Sequence, residues 1–388
     1  MLAIATGLAL IPAVASGFSR FAYALVLPAM RSALGWSYTT AGAVNTASAI
    51  GFLLGSLGAA AVTIRWGERR VLVTSLVLTA AIVLASGVTG AIAVVVLMRL
   101  LAGVTAAVAF VVGSVLAARL ARAAPPRTGA VVLGIYFGGG GGLGVVIPGL
   151  VVPAAIQGTN WQTAWLALGL MSVVGAAVAV WSARLVPGPV SDAPDSRAGL
   201  LRWPIRTLWP LLWGYGLFGA GYIPYMTFIV AHLEEEGAND LQVSAFWAVL
   251  GLAAVAGSWL WSPVLGRNEG GQAPVWTLVA VLVGSVLPLI SGSLLLSFVS
   301  ATIFGGSFLA TPSAVTNYAR NALPQHWWSS TMAALTATFA LGQCLGPLLA
   351  GAFSNGRNGV GTGLLIGAGL LVASIALTLR QPRRGDAS

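Results

Sequence analysis

Lysine is absent from this sequence, and carboxylates are nearly so: nine Asp and Glu residues stand in a chain of 388. Charged residues make up 7% in all and hydrophobic ones 57%, whereas a soluble domain carries about 25% charged residues. A soluble protein with such a surface would precipitate, so lipid is the solvent the composition calls for. The one cysteine, Cys344, lies in an apolar run, which excludes a disulfide within the chain and a cysteine-based metal site. There is no HExxH, no GxSxG and no group of histidines with carboxylates inside an apolar run. An enzyme therefore has no machinery set out for it, and neither a metal nor a cofactor is called for.

What is there is a succession of apolar runs, each close to the roughly 20 residues needed to cross a bilayer as a helix. Twelve are predicted: 2–28, 38–64, 71–88, 91–118, 129–156, 163–186, 207–233, 241–262, 275–291, 293–318, 329–353 and 359–379. Fifty glycines suit close packing of such helices. Ala13-Val14-Ala15 resembles a signal-peptide cleavage site, but no basic segment precedes it and the apolar run continues past it, so an uncleaved first helix is expected. The expected fold is an all-α membrane protein of twelve transmembrane helices in two pseudo-symmetric six-helix bundles.

The arginines orient it. Arg65, Arg69 and Arg70, then Arg119, Arg122 and Arg127, then Arg184, Arg197, Arg202 and Arg206 fall in alternate connections, as do Arg267 and Arg320, with Arg380, Arg383 and Arg384 in the tail. The other side receives only Arg31 and Arg357, with Glu234, Glu235 and Glu236. By the positive-inside rule both termini are cytoplasmic, and a bacterial inner (plasma) membrane is the expected location. The net charge of +10 is thereby assigned to the cytoplasmic leaflet, and no nucleic-acid partner is needed. Residues 187–206, rich in Pro, Gly, Ser and Asp, read as a linker. The expected division is a bundle at 1–186, the linker, a bundle at 207–379 and a tail at 380–388.

The halves repeat at an offset near 202. Gly17-Phe-Ser-Arg20-Phe-Ala-Tyr23 lies over Gly219-Ala-Gly-Tyr222-Ile-Pro-Tyr225, Gly35 over Gly237, Gly55 over Gly257 and Gly103 over Gly305. Parallel repeats of this kind are a transporter layout, with substrate held between the halves.

Three motifs carry a family resemblance. Arg99-Leu-Leu-Ala-Gly103 resembles the R-x-x-x-G motif of the major facilitator superfamily; Gly138 to Gly144 with Pro148-Gly149 resembles the glycine/proline motif of its exporters and antiporters; Trp66-Gly67-Glu68-Arg69-Arg70 resembles the end of its cytoplasmic gating motif. The aspartate that this gating motif normally carries is Ile64 here, so a latch must use other groups, Glu68 being one candidate. More narrowly, Gly17 to Tyr23, Leu217 to Tyr222 and Leu341-Gly-Gln343-Cys-Leu-Gly346-Pro347 are similar to the bacterial YbfB/YjiJ-type branch. The resemblance implies alternating access around a central cavity, with the first and fourth helices lining it, a small-molecule substrate and a single working chain.

Arg20 is then the residue to explain. A charge at membrane depth costs a few kcal/mol on insertion scales. With the first helix ending near Pro28 and the fourth starting near Ala91, Arg20 and Arg99 each lie eight residues, about 12 Å, below the outer surface. Every carboxylate falls in a connection, a helix end or the tail. The missing counter-charge is therefore expected to be the substrate, an organic anion bound bidentately by the guanidinium forks of Arg20 and Arg99. The alternative is structural: Arg99 bonding main-chain carbonyls, and Arg20 reaching to the outer interface. Tyr23, Tyr222, Tyr225, Tyr136, Asn45 and Gln343 are further substrate-binding candidates, and Gly67, Arg69, Arg70, Gly103, Gly144, Pro148 and Gly149 serve gating or helix packing. His232 is the one candidate proton site. Drug-type efflux of neutral or amphipathic compounds is the second functional reading, and a non-transporting membrane sensor a remote third.

Overall fold

The computed structural model describes residues 1–156, 160–187, 205–261, 263–264, 272–323, 328–355 and 359–381. Most of the expected linker, and with it Arg197 and Arg202, lies outside the described residues, as do Arg267, Arg357, His326 and the tail beyond Gln381.

Apolar runs without a water-accessible partner for their backbone must satisfy every N–H internally, and helices do so. Among the described residues there is no strand. Among the described residues, twelve principal helices run: α1 (Leu2–Leu34), α2 (Tyr38–Trp66), α3 (Glu68–Ala85), α4 (Ile92–Arg122), α5 (Pro126–Gly134, continuing through Ile135–Gly139 to Gly140–Ala155), α6 (Trp161–Ala183), α7 (Ile205–Glu235), α8 (Asp240–Leu260), α9 (Ala273–Ile290), α10 (Leu294–Phe308 and Ala310–Ala322), α11 (Trp328–Phe353) and α12 (Gly359–Thr378). Eleven contain a stretch long and apolar enough to cross a membrane; α3, with Glu68, Arg69 and Arg70 in its first turn, is the twelfth.

The first helix corrects its expected end. Pro28 lies inside α1, which continues to Leu34 and stops at Gly35, a glycine at φ 64°. A proline removes one backbone bond, which a membrane helix tolerates when neighbours re-satisfy the freed groups. The left-handed conformation that only glycine adopts readily is the true stop. Arg20 therefore lies 14 residues below that end, not eight, and sits at the middle of its helix.

The repeat is visible in local geometry. Gly35 and Gly237 both take positive φ, Ser37 caps α2 through Thr40 N, and Asn239 caps α8 through Gln242 N in a capping box. Gly103 abuts the Ser48 carbonyl and Gly305 the Leu250 carbonyl; Gly55 abuts Val104 O and Gly257 abuts Gly306 O. Each of these pairs is related by the offset of 202. The same helix crossings are thus built twice, α2 on α4 and α8 on α10.

Between the halves, α1 and α7 are central: 67% and 94% of their apolar stretches are buried inside the protein. Two seams flank them. Along one, α5 meets α8, with Gly149 against Trp247 and Gly142 against Val255. Along the other, α2 meets α11, with their polar bonds near the end that carries Glu234 to Glu236. There Tyr38 N donates to Asn355 Oδ1 at 3.0 Å, Asn355 Nδ2 to Thr39 Oγ1 at 2.5 Å, and Thr46 Oγ1 to the Cys344 carbonyl at 2.8 Å. The same stripe of α2 continues toward the arginine-rich end as Ile50, Leu54 and Leu57, which are 40%, 53% and 62% exposed. Its bonds gather at the acidic end, and toward the basic end the α2 face is exposed.

Candidate functional site

Arg20 occupies the last turn of a π-helical segment, Ala13–Phe21, inside α1. A π turn inserts one residue into the helical ladder, so every side chain beyond it is rotated to a new bearing, and such turns recur at functional sites. The bond of Ala22 N to Gly17 O, 2.9 Å, is one of these wider rungs. The segment is fixed from behind by Gly17, whose backbone touches that of Gly144 in α5; a methyl group on either would overlap the other. The sequence-expected packing role of Gly144 is thus to let α5 support the turn that aims Arg20. A second π segment, Ile135–Gly139, lies in α5 itself.

The Arg20 side chain is 6% exposed. Its Nη2 donates to Gln343 Oε1 at 3.3 Å, its guanidinium lies 4.5 Å from the centroid of Phe52, and its Nε has no protein partner. The amide nitrogen of Gln343 donates to the hydroxyl of Tyr222. A chain of three polar groups, Arg20, Gln343 and Tyr222, thereby crosses from one half to the other. On the acidic-end side Arg20 borders a small pocket with Phe21, Tyr23, Asn45, Ile223, Met226 and Thr227. Asn45 Nδ2 donates to Thr227 Oγ1 at 2.6 Å, again between halves, and the Tyr23 hydroxyl donates to Ala41 O at 3.0 Å. Among the described residues the recorded ion pair is Arg119 with Glu68, 2.7 Å apart at the basic end. The described carboxylates lie at helix ends, as the sequence indicated, and none meets Arg20.

Arg99 is not brought into this pocket. Its Nη1 donates to the Ser19 carbonyl at 2.9 Å, its Nη2 to Ser86 Oγ at 2.5 Å, and its guanidinium lies 4.4 Å from the centroid of Trp165. The side chain is 2% exposed inside the first half. The expectation of two arginines facing one space gives way to a division of labour: Arg99 holds the π segment at Ser19, and Arg20, one residue on, faces the other half.

The remaining candidates separate in the same way. Tyr136 donates to Phe110 O at 3.0 Å between α5 and α4, and Tyr225 bonds Ser300 Oγ at 2.6 Å while stacking on Phe304; both are packed within one half, away from Arg20. His232 lies 3.4 Å from Pro288 O and lines a pocket with Glu236 and Gln242 at the acidic end, far from the centre. Gly67 joins α2 to α3 at φ 83°, Pro148 is a buried turn of α5, and Arg69 and Arg70 are exposed. Glu68 pairs with Arg119 at 2.7 Å, between α3 and α4 inside the first half. Sequence reasoning passed over Thr227 and Phe52, whose residue types are common in membrane helices and whose partners lie in another helix.

A family profile described as "Uncharacterised MFS-type transporter YbfB" matches residues 12–379. Two similar solved structures are a bacterial homologue of the human lysosomal transporter Spinster in an inward-facing, occupied conformation (15% identity, TM-score 0.73, 97% of this chain and 95% of that one) and the nucleoside transporter NupG (16% identity, TM-score 0.74, 98% of each). At that identity the likeness is one of fold. No curated protein matches the chain.

Proposed function

The chain belongs to the MFS-type transporter family of YbfB, a family of carriers and not of enzymes, and from that premise we propose that it moves a small organic anion across the bacterial inner membrane by alternating access, with Arg20 as the anion's anchor. The observation that carries this reading is Arg20 itself: a permanent charge, buried at the middle of α1, bonded only to a neutral amide, with Nε unpaired. A guanidinium that far from water is costly without an acceptor, and a carboxylate is the acceptor its planar fork fits.

The rest of the arrangement serves the cycle. With the arginine-rich end in the cytoplasm, the exposed part of the α2 face lies inward and the bonds around Tyr38 form the outer seal. Gln343, Tyr222, Asn45 and Thr227 connect the halves at the level of Arg20, so an anion arriving there alters the contacts that hold them together. A ligand shifts such an equilibrium only through differential contacts with the two states, and these groups supply them. Since, among the described residues, no carboxylate or histidine stands beside Arg20, a proton, where one is coupled, travels with the substrate.

Uptake into proteoliposomes tests the reading. Arg20→Ala is expected to abolish anion uptake at normal expression and folding, and Arg20→Lys to restore little of it, since a point charge replaces a fork. Unchanged uptake by the alanine variant refutes the assignment.

A further inference from the structure

Arg20 identifies one end of the cargo, and the rings beside it identify the rest. Seven rings from α7, α10 and α11 stand in a nearly parallel array. Tyr215 and Phe339 have centroids 4.7 Å apart at 15°, Phe218 and Tyr222 5.0 Å at 19°, and Tyr222 and Phe339 5.7 Å at 8°. Tyr222 continues to Phe308 (6.2 Å, 22°), Phe308 to Phe304 (5.5 Å, 17°) and Phe304 to Tyr225 (4.0 Å, 25°). Tyr222 is also the ring whose hydroxyl meets Gln343, the amide that holds Arg20. The ladder therefore arrives at the guanidinium. From the opposite half, Phe52 lies under Arg20 and Phe21 stands edge-on to Phe308 at 6.3 Å and 77°.

Burial is uneven along this ladder. Phe218, Tyr222, Phe304, Phe308 and Tyr225 are buried, as core rings should be. Tyr215 and Phe339, and across from them Phe52 and Phe21, are only half-buried. Parallel rings, two of them only half-buried, beside an unpaired cationic donor suit a flat, unsaturated body bearing one carboxylate. Among the described residues a second carboxylate finds no partner: Arg99, the other buried arginine, is committed to Ser19, Ser86 and Trp165.

We infer that the carried anion is an aromatic monocarboxylate, its carboxylate on Arg20 and its ring against the half-buried end of the ladder, Phe339 and Tyr215. This rests on the organic-anion reading above and goes further by fixing the body of the substrate. Ring stacking adds to plain burial by an amount that corresponds to about two- to tenfold in affinity.

The experiment compares ligands of matched size on the purified full-length protein, by thermal stabilisation and by titration. Benzoate is expected to raise the melting temperature by mass action. Cyclohexanecarboxylate, with the same charge and no π face, binds two- to tenfold more weakly; terephthalate, with a second charge, more weakly still. Phe339→Leu, which keeps an apolar side chain, brings the benzoate-to-cyclohexanecarboxylate ratio to about one, and should that variant fail to fold, the ratio in the unaltered protein decides alone. Equal affinity for the two acids, with both lost in Arg20→Gln, overturns the aromatic inference and leaves the anion reading standing. Benzoate binding that survives Arg20→Gln, or no stabilisation by any of the carboxylates, overturns both.

Discussion

Tyr38 is where the bonded end of the α2–α11 seam is most open to measurement. Its hydroxyl donates to Glu235 Oε1 at 2.6 Å, from the first turn of α2 to the last of α7, and Arg31 lies 4.2 Å over its ring. Phenylalanine at this position keeps the ring, its edge contact with Phe228 at 6.0 Å and the backbone bond to Asn355, and removes only the hydroxyl. A bond to a charged acceptor contributes about 1.5–3 kcal/mol net. Glu235 is exposed, so the lower figure applies, and about 1.4 kcal/mol corresponds to a tenfold change in an equilibrium. Because the bond joins the two halves, it exists only while the acidic end is shut. Its loss is expected to raise the population open at that end about tenfold. Cys344 is the chain's one cysteine and is 8% exposed, its carbonyl held by Thr46 within the same seam. It reports opening without any engineered thiol. A membrane-impermeant maleimide applied from the acidic side should label Tyr38→Phe about ten times faster than the unaltered protein while the outward state is the minor one. An unchanged rate, in a variant whose melting temperature shows it folded, refutes the claim that this bond helps to seal the carrier.

Two further outcomes follow from the packing. Arg99→Ala strips the Ser19 carbonyl and the Ser86 hydroxyl of their donor and the Trp165 ring of its cation, a loss on the order of 3 kcal/mol; the melting temperature should fall steeply, and an unchanged melting temperature would contradict the structural role assigned to Arg99. Gly257→Ala drives a methyl into the Gly306 carbonyl and should destabilise the second half, whereas Gly58→Ala, which meets open space, should be neutral or gain up to about 1 kcal/mol from helix propensity; equal thermal unfolding of the two variants would contradict the close crossing of α8 on α10.

The fold was legible because its signals are either local or repeated. Apolar length marked the helices, and the recurrence of Gly35 at Gly237, Gly55 at Gly257 and Gly103 at Gly305 marked the two halves before any contact was known. The capping residues Ser37 and Asn239 obey the same spacing and would have strengthened that inference. What stayed hidden is non-local. Nothing in the run around Pro28 says that helix α1 survives its proline, since that depends on what surrounds the freed carbonyl. Nothing in Ala13–Phe21 announces a π turn; the residues that support it, Gly144 and Arg99, come from α5 and α4. The aromatic ladder is likewise assembled from α7, α10 and α11, with rings spread from Tyr215 to Phe339.

Arg20 and Arg99 show where sequence reasoning divides. Each is a lone arginine in an apolar run, each has glycines within a turn or so, and each lies in a helix expected to face the centre. One physical rule applies to both: a buried guanidinium must find acceptors or remain costly. Arg99 finds them inside its own half, in a main-chain oxygen exposed by the interrupted ladder of α1, in a hydroxyl from the end of α3, and in the face of Trp165 on α6. Its charge is thereby used up in fixing the turn that carries Arg20. Arg20 finds one neutral amide from the other half and one ring beneath it, and keeps a buried donor unpaired. The positions differ by one residue along α1, Ser19 to Arg20, yet one side of that helix faces its own bundle and the other faces the seam. A charge satisfied within a bundle moves rigidly with it. A charge left short of acceptors at the boundary between bundles is the one whose satisfaction can depend on what enters there, and this is the physical content of assigning cargo binding to Arg20 and structure to Arg99.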